Sequence, residues 1–318
     1  MSRPRCFAEF PAGLASVSLR LHGGPGCRPP ISRMGNKAGY AETILWTLGL
    51  TAGKSAGAYV WAEADDDVRA LLRAYPDPAL LLQIAEIIRG WADEEPRALW
   101  ERLRAERKAR GPRVDADPAG SAGAEFATPA GDVAGAFEIA AHSFLHQGSF
   151  GYKGPEAGIG RPEGMEAHDT HGAIRPVTAI LGDSFPRIAS SWPTVAVLPR
   201  IPSAADLALW LGTPGDLDGV VVYMDPPYLD TTGYLHDLGR ADVVRHALDF
   251  ASMGAHVAIS EAVALPELMA LGWHVADITG GRKGQKRTFS KQQGEYLTMN
   301  REPAYVVPAQ AGLFACAS

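Results

Sequence analysis

GVVVYMDPPYLDTTGY, residues 219–234, is the stretch on which the reading of this chain turns. Val220 to Tyr223 are all β-branched or aromatic, the composition of a buried strand. Pro226 has no N–H to give a sheet ladder and biases Asp225 away from helical geometry, so the strand is expected to end at Asp225. In an open α/β sheet, ligands gather outside the carboxyl ends of the strands. Asp225, Pro226, Pro227 and Tyr228 are therefore expected to line a crevice, offering a carboxylate acceptor, backbone carbonyls and a flat aromatic face. That set suits a planar ring carrying an exocyclic amine. The plain alternative is a proline-terminated strand followed by a turn.

DPPY after a strand resembles the catalytic motif of amino-methyltransferases that act on DNA, and most of the chain around it resembles the DNA adenine methylase (Dam-like) family. The resemblance implies an α/β fold: a Rossmann-like S-adenosylmethionine-dependent methyltransferase sheet with helices on both faces and an inserted DNA-recognition region. It also implies transfer of a methyl group from S-adenosyl-L-methionine to N6 of an adenine flipped out of double-stranded DNA, with Asp225, Pro226, Pro227 and Tyr228 as the catalytic residues. A cognate restriction endonuclease is a possible partner in that family, and a phage origin is equally open. Two other readings stand beside it: a catalytically inactive DNA-binding relative, and an amino-methyltransferase acting on cytosine N4 or on RNA. Asp before the two prolines favours adenine by resemblance alone, because Asp and Ser both accept from an amine.

Upstream, RCFAEFPAGLASVSLRLHGG, residues 5–24, reads as a strand from Cys6 to Phe10, a turn at Pro11 to Gly13, and a helix from Leu14 to about His22. Strand, glycine turn and helix N-terminus together leave free N–H groups for a polar ligand. The segment resembles the family's cofactor loop, E-P-F-x-G-x-G, which implies that Glu9, Phe10, Pro11, Ala12 and Gly13 hold the cofactor. Phe10 and Pro11 stand in swapped order, and Ala15 takes the second glycine place. SRMGNK, residues 32–37, resembles the family's R/K-x-x-G-G-K segment, implying a place for Lys37 beside the cofactor and for Arg33 near DNA. In the family that segment precedes the cofactor loop, whereas here it follows.

AYVWA, residues 58–62, reads as a second strand that ends in acids. A carboxylate at the end of the second strand of a Rossmann-type sheet accepts from both ribose hydroxyls of a nucleoside cofactor. By spacing that residue is Glu63, with Asp65 as runner-up, while Asp65, Asp66 and Asp67 also suit the cap of the following helix. Helices are expected at 41–48, with Ile44, Leu45 and Leu48 inward, and at 78–91, 96–110 and 133–147. Residues 111–132 read as a linker rich in Gly, Ala and Pro. FLHQGSFGYKG, residues 144–154, resembles the family's loop before target recognition, so Tyr152 and Lys153, with Arg161 and Arg175, are candidate DNA contacts. His142, His146, His168 and His171 match no zinc spacing, and no metal is expected.

The sheet is expected to resume at 194–198 and to continue through the DPPY strand and HVAISEA, residues 256–262, where Ser260 and Glu261 occupy the ligand end. Thr231, Thr232 and Tyr234 are candidates to close over the target base. The closing segment 273–300 reads as two strands flanking a basic loop with Arg282, Lys283, Lys286, Arg287 and Lys291, and resembles the family's last hairpin. These cations suit phosphate. The domain division that follows is 1–110 for the cofactor half, 111–192 for the linker and target-recognition insertion, 193–302 for the catalytic half and 303–318 for a tail.

Composition fits this picture. Apolar residues make up 46 % and charged residues 21 %, as in an ordinary folded protein. The net charge of −6 hides two basic regions: residues 1–60 carry seven Lys or Arg against two Glu, and residues 280–301 six against one. Cys6, Cys27 and Cys316 are odd in number and lack metal spacing, which favours a reduced setting. With no apolar run of about 20 residues and no signal-like start, a cytoplasmic protein without membrane association is expected.

Overall fold

A computed structural model describes residues 3–31, 37–110, 130–141, 166–168, 174–176, 182, 185–227, 238–281 and 294–307. Its elements begin with β1 (Cys6–Phe10), α1 (Ser16–Gly23), a 3-10 turn (Lys37–Gly39), α2 (Ala41–Thr47), β2 (Ala58–Ala62), α3 (Asp66–Ala74), α4 (Pro78–Gly90), α5 (Pro96–Arg110) and α6 (Ala130–Ala141). There follow a small hairpin of β3 (Glu166–His168) and β4 (Ile174–Pro176), a short helix Phe185–Ala189, β5 (Thr194–Leu198), a helix Ala204–Trp210 and β6 (Val220–Met224). The rest comprises a helix Arg240–Ser252, β7 (His256–Glu261), a helix Pro266–Met269, β8 (His274–Asp277) and β9 (Tyr296–Met299).

Seven strands form one mixed sheet in the order β5-β2-β1-β6-β7-β9-β8. The first five are parallel, and β9 runs antiparallel to both β7 and β8. From β1 the chain winds outward through β2 to β5, then returns to lay β6 and β7 on the other side of β1. This 3-2-1-4-5 order is compatible with a Rossmann-like fold, and its switch point lies between β1 and β6. Register there runs from Cys6 opposite Val220 to Phe10 opposite Met224, so both strands leave the sheet at the same level. The hairpin of β8 and β9 completes the far edge.

The central strands β1, β2 and β6 are buried on both faces, which is why CFAEF, AYVWA and VVVYM read as near-continuous apolar runs. Their alternation still sorts residues by face. Phe7, Tyr59, Trp61, Val221 and Tyr223 join a core with α1 to α4 and α6, whereas Cys6, Ala8, Val60, Val222 and Met224 pack against the helices 204–210 and 240–252. Ile44, Leu45 and Leu48 are all fully buried in the first of these cores, as the spacing in α2 predicts.

Composition puts residues 111–132 in a linker and starts the next helix at Val133, whereas α6 begins at Ala130. Val133, Ala134 and Phe137 of α6, with Phe185 and Ala189, enter the same core as β1 and β2. Trp192 stacks on His22 at 3.9 Å and packs edge-on to Trp61 at 5.1 Å. Parts of the segment 111–192 thus build the helical layer over the sheet, because their apolar residues have that face to cover. Among the described residues, no helix is long and apolar enough to cross a membrane.

Candidate active site

The site follows from how β1, β2 and β6 end. The peptide before Pro11 is cis, and Gly13, at φ 50°, turns the chain into α1. Ala12 N donates to Ala62 O at 2.8 Å and Glu63 N to Leu198 O at 3.0 Å, which ties the loops after β1, β2 and β5 into one rim. On the other side of the switch point, Asp225 N donates to Phe10 O at 2.9 Å. DPP and FPAG are therefore neighbours.

On the β1–β2 side the carboxylates are held by backbone amides. Glu9 points from β1 at the start of α1, accepting from Ser18 N at 2.9 Å, Ser18 Oγ at 2.6 Å and Val17 N at 3.3 Å. A helix N-terminus has unsatisfied N–H groups, and the residue at its own cap position, Ala15, has no side-chain acceptor. Glu9 supplies one from the neighbouring strand. Burial pushes its carboxyl up to about 7, against the pull of the Ser18 and Val17 hydrogen bonds and with a further push from the charge of Asp225. Glu63 accepts from Gly13 N at 2.9 Å and Asp65 N at 3.0 Å, joining the two loops. Asp65 in turn caps α3 by accepting from Asp67 N and Val68 N, so the runner-up for the ribose contact is already engaged as a cap.

On the β6 side the partners are side chains. Lys37, at the start of its 3-10 turn, is 6 % exposed and its Nζ lies 2.9 Å from Asp225 Oδ1. The same ammonium lies 3.5 Å from Oε1 of Glu295, which is fully buried. Ser260, at the carboxyl end of β7, donates its hydroxyl to that Oε1 at 2.5 Å. Glu261 beside it has its carboxyl raised to about 7, chiefly by burial and then by the charge of Asp225, with Lys37 opposing. Burial also pushes the Tyr223 phenol far up. Thr43 Oγ1 donates to Gly281 O at 2.8 Å, so the segment bearing Lys37 is fastened to the chain beyond β8.

Of the residues singled out from sequence, Glu9, Phe10, Pro11, Ala12, Gly13, Lys37 and Glu63 are gathered with Asp225, Pro226 and Pro227 on this rim. The reversed order of the Lys37 segment and the glycine loop does not keep Lys37 from Asp225. Tyr228, Arg33, Tyr152, Lys153, Arg282, Lys283, Lys286, Arg287 and Lys291 lie outside the described residues, as do Arg161, Thr231, Thr232, Tyr234, His142, His146 and His171. His168 and Arg175 belong to β3 and β4. Sequence reasoning missed Glu295, which it left unremarked within the closing segment 273–300. A glutamate entering an apolar strand beside a basic loop was the available signal.

Two other features carry less. Asp65, Asp66 and Asp67 bring carboxylate oxygens within 4.8 Å of one another. Asp65 is the α3 cap and Asp67 pairs with Arg107 at 2.6 Å, so helix capping and an ion pair account for both. A groove of about 620 Å³ along the helix 240–252 is lined by Val244, Leu248 and the Arg240–Glu267 ion pair, and none of the crevice carboxylates borders it. Neither a scan against protein-family models nor a search of curated proteins returns a match for this chain.

Proposed function

We propose that the protein is a site-specific DNA methyltransferase that transfers a methyl group from S-adenosyl-L-methionine to N6 of a flipped adenine. The observation that carries the reading is the Asp225 carboxylate at the switch point, paired with Lys37 and adjoining a second set of carboxylates at the ends of β1 and β2.

The donor set suits this cofactor. Glu63 at the end of β2 has the position and chemistry to accept from a ribose diol. Glu9 and Glu261 have carboxyls raised to about 7, first by burial and then by the charge of Asp225, and a cationic ligand in the crevice would relieve that repulsion. When bound, S-adenosylmethionine supplies an electrophilic methyl on such a cation, a sulfonium.

The exocyclic amine of adenine is a poor nucleophile because its lone pair is delocalised into the ring. Asp225 and the carbonyl of Pro226, accepting its two N–H bonds, hold the nitrogen toward tetrahedral geometry and turn the lone pair outward. Lys37 keeps Asp225 an ionised acceptor. The base leaves the duplex at a cost of a few kcal/mol, which stacking on Tyr228 partly offsets. Arg33, the pair Tyr152 and Lys153, and the cations of 282–291 would take the phosphates of double-stranded DNA.

Ala15 favours one competing reading. It stands at φ 49° with a Cβ where the resembled loop has glycine, which suits a relative that binds DNA without catalysing transfer. Incubation with S-adenosylmethionine and duplex DNA, followed by nucleoside analysis, separates the readings. N6-methyladenine is the expected product; N4-methylcytosine reassigns the acceptor, and no methylated base with no cofactor binding by calorimetry overturns the proposal.

A further inference from the structure

We propose that Glu295 is a positioning residue for the Asp225 carboxylate, acting through Lys37. The inference rests on the methyltransferase reading above and adds a residue which that reading did not require. Glu295 stands at the head of β9 with its backbone fixed on both sides. Its N–H donates to Thr279 Oγ1 at 2.8 Å, and its carbonyl accepts from Ile278 N at 2.8 Å. A carboxylate held this rigidly and this far from water is costly unless charge and hydrogen bonds compensate it. Ser260 and Lys37 supply both.

The ammonium of Lys37 is thus shared, 2.9 Å from one carboxylate and 3.5 Å from the other. Sharing has two consequences. It fixes Nζ at one point, which fixes the oxygen of Asp225 that Nζ contacts. It also divides the positive charge, so Lys37 competes less strongly with a substrate amine for the Asp225 carboxylate. With Glu295 neutral, the pair between Lys37 and Asp225 tightens and the amine meets a more committed acceptor.

Among the described residues, the titratable groups coupled to Asp225 are Glu9 from β1, Tyr223 from its own strand, Lys37 from the 3-10 turn and Glu261 from β7, with Glu295, just before β9, reaching it through Lys37. Arg240, on the helix that packs against β7, acts on Glu261. All but Glu295 stay in place in the test variant. Glu295→Gln keeps the shape and an acceptor for Ser260 while removing the charge. Removing a negative neighbour favours ionised Asp225, so the carbon NMR titration of its side-chain carboxyl should move to lower pH, by about half a unit or more. In parallel kcat for methyl transfer should fall roughly tenfold while the calorimetric Kd for S-adenosylmethionine stays within about threefold.

Glu295→Asp, which keeps the charge but withdraws it by one methylene, should shift the same titration less and retain more of kcat. It decides the matter if the glutamine variant does not fold. An unmoved Asp225 titration in whichever folded variant is tested, or an unchanged kcat, overturns the inference. If the parent protein transfers no methyl group, the functional reading fails, and the NMR shift alone still decides whether Glu295 governs Asp225.

Discussion

On the β1–β2 side of the crevice, Glu9 and Glu63 accept from main-chain amides of Val17, Ser18, Gly13 and Asp65. On the β6 side, Asp225 and Glu295 accept from an ammonium and a hydroxyl carried by distant segments. Amides come with the fold and carry no net charge. They pull the carboxyl of Glu9 down, but burial outweighs them and, with the charge of Asp225, raises it to about 7. Side-chain donors supply charge but depend on single residues. Stability should therefore tolerate loss of a single side-chain donor better on the cofactor side than on the catalytic side.

The largest effect should come from the catalytic side. Lys37→Met removes a buried cation from between Asp225 and Glu295 and should cost about 3–5 kcal/mol of stability in urea unfolding. Ser18→Ala, which takes one donor from Glu9 and the acceptor from Trp61 Nε1, should cost only about 1–2 kcal/mol. Equal losses would erase the contrast. Asp225→Ala should lower methyl transfer by about 10²–10³-fold with cofactor binding largely intact, measured by steady-state kinetics and calorimetry. Glu63→Ala should do the opposite, weakening S-adenosylmethionine binding by roughly 10–100-fold through the lost charged hydrogen bonds.

Smaller effects come from one buried carboxyl on each side of the crevice. With folded-state carboxyls near 7 against about 4.3 in the unfolded chain, Glu9 and Glu261 bind more protons folded than unfolded between those values. Stability of the ligand-free protein from these groups is present at low pH and is lost as pH rises toward 7. Affinity for the sulfonium should run the other way, weakening roughly three- to tenfold from pH 8 to pH 6 as the carboxylates protonate. S-Adenosylhomocysteine, whose sulfur is neutral, should change less, and parallel pH curves for the two would contradict the charge argument. Smallest of all, Ala15→Gly should stabilise by about 1 kcal/mol or less, since a left-handed φ of 49° penalises a Cβ while glycine loses more entropy on folding.

What was legible in the sequence follows the same division. The strands at Cys6–Phe10, Ala58–Ala62 and Val220–Met224 lie where short apolar runs rich in aromatic or β-branched residues, closed by a proline or acids, predict them. Asp65 as a cap and Gly13 as a turn are local signals of the same kind. Glu295 was not legible, because its importance comes from Lys37 and Ser260, which only the sheet order β6-β7-β9 brings to it. The pairing of Lys37 with Asp225 was equally out of reach, since nothing along the chain says which cation a buried acid will meet. The helix from Ala130 was half hidden by a composition of Ala and Gly that reads as linker until Phe137 finds a core to fill.

The most direct measurement is base-resolution sequencing of DNA from cells expressing the protein or its Asp225→Ala variant. The account predicts N6-methyladenine recurring within one sequence context in the first sample and missing from the second. Methylation that persists in the variant, or none in either sample while the protein is folded, contradicts it.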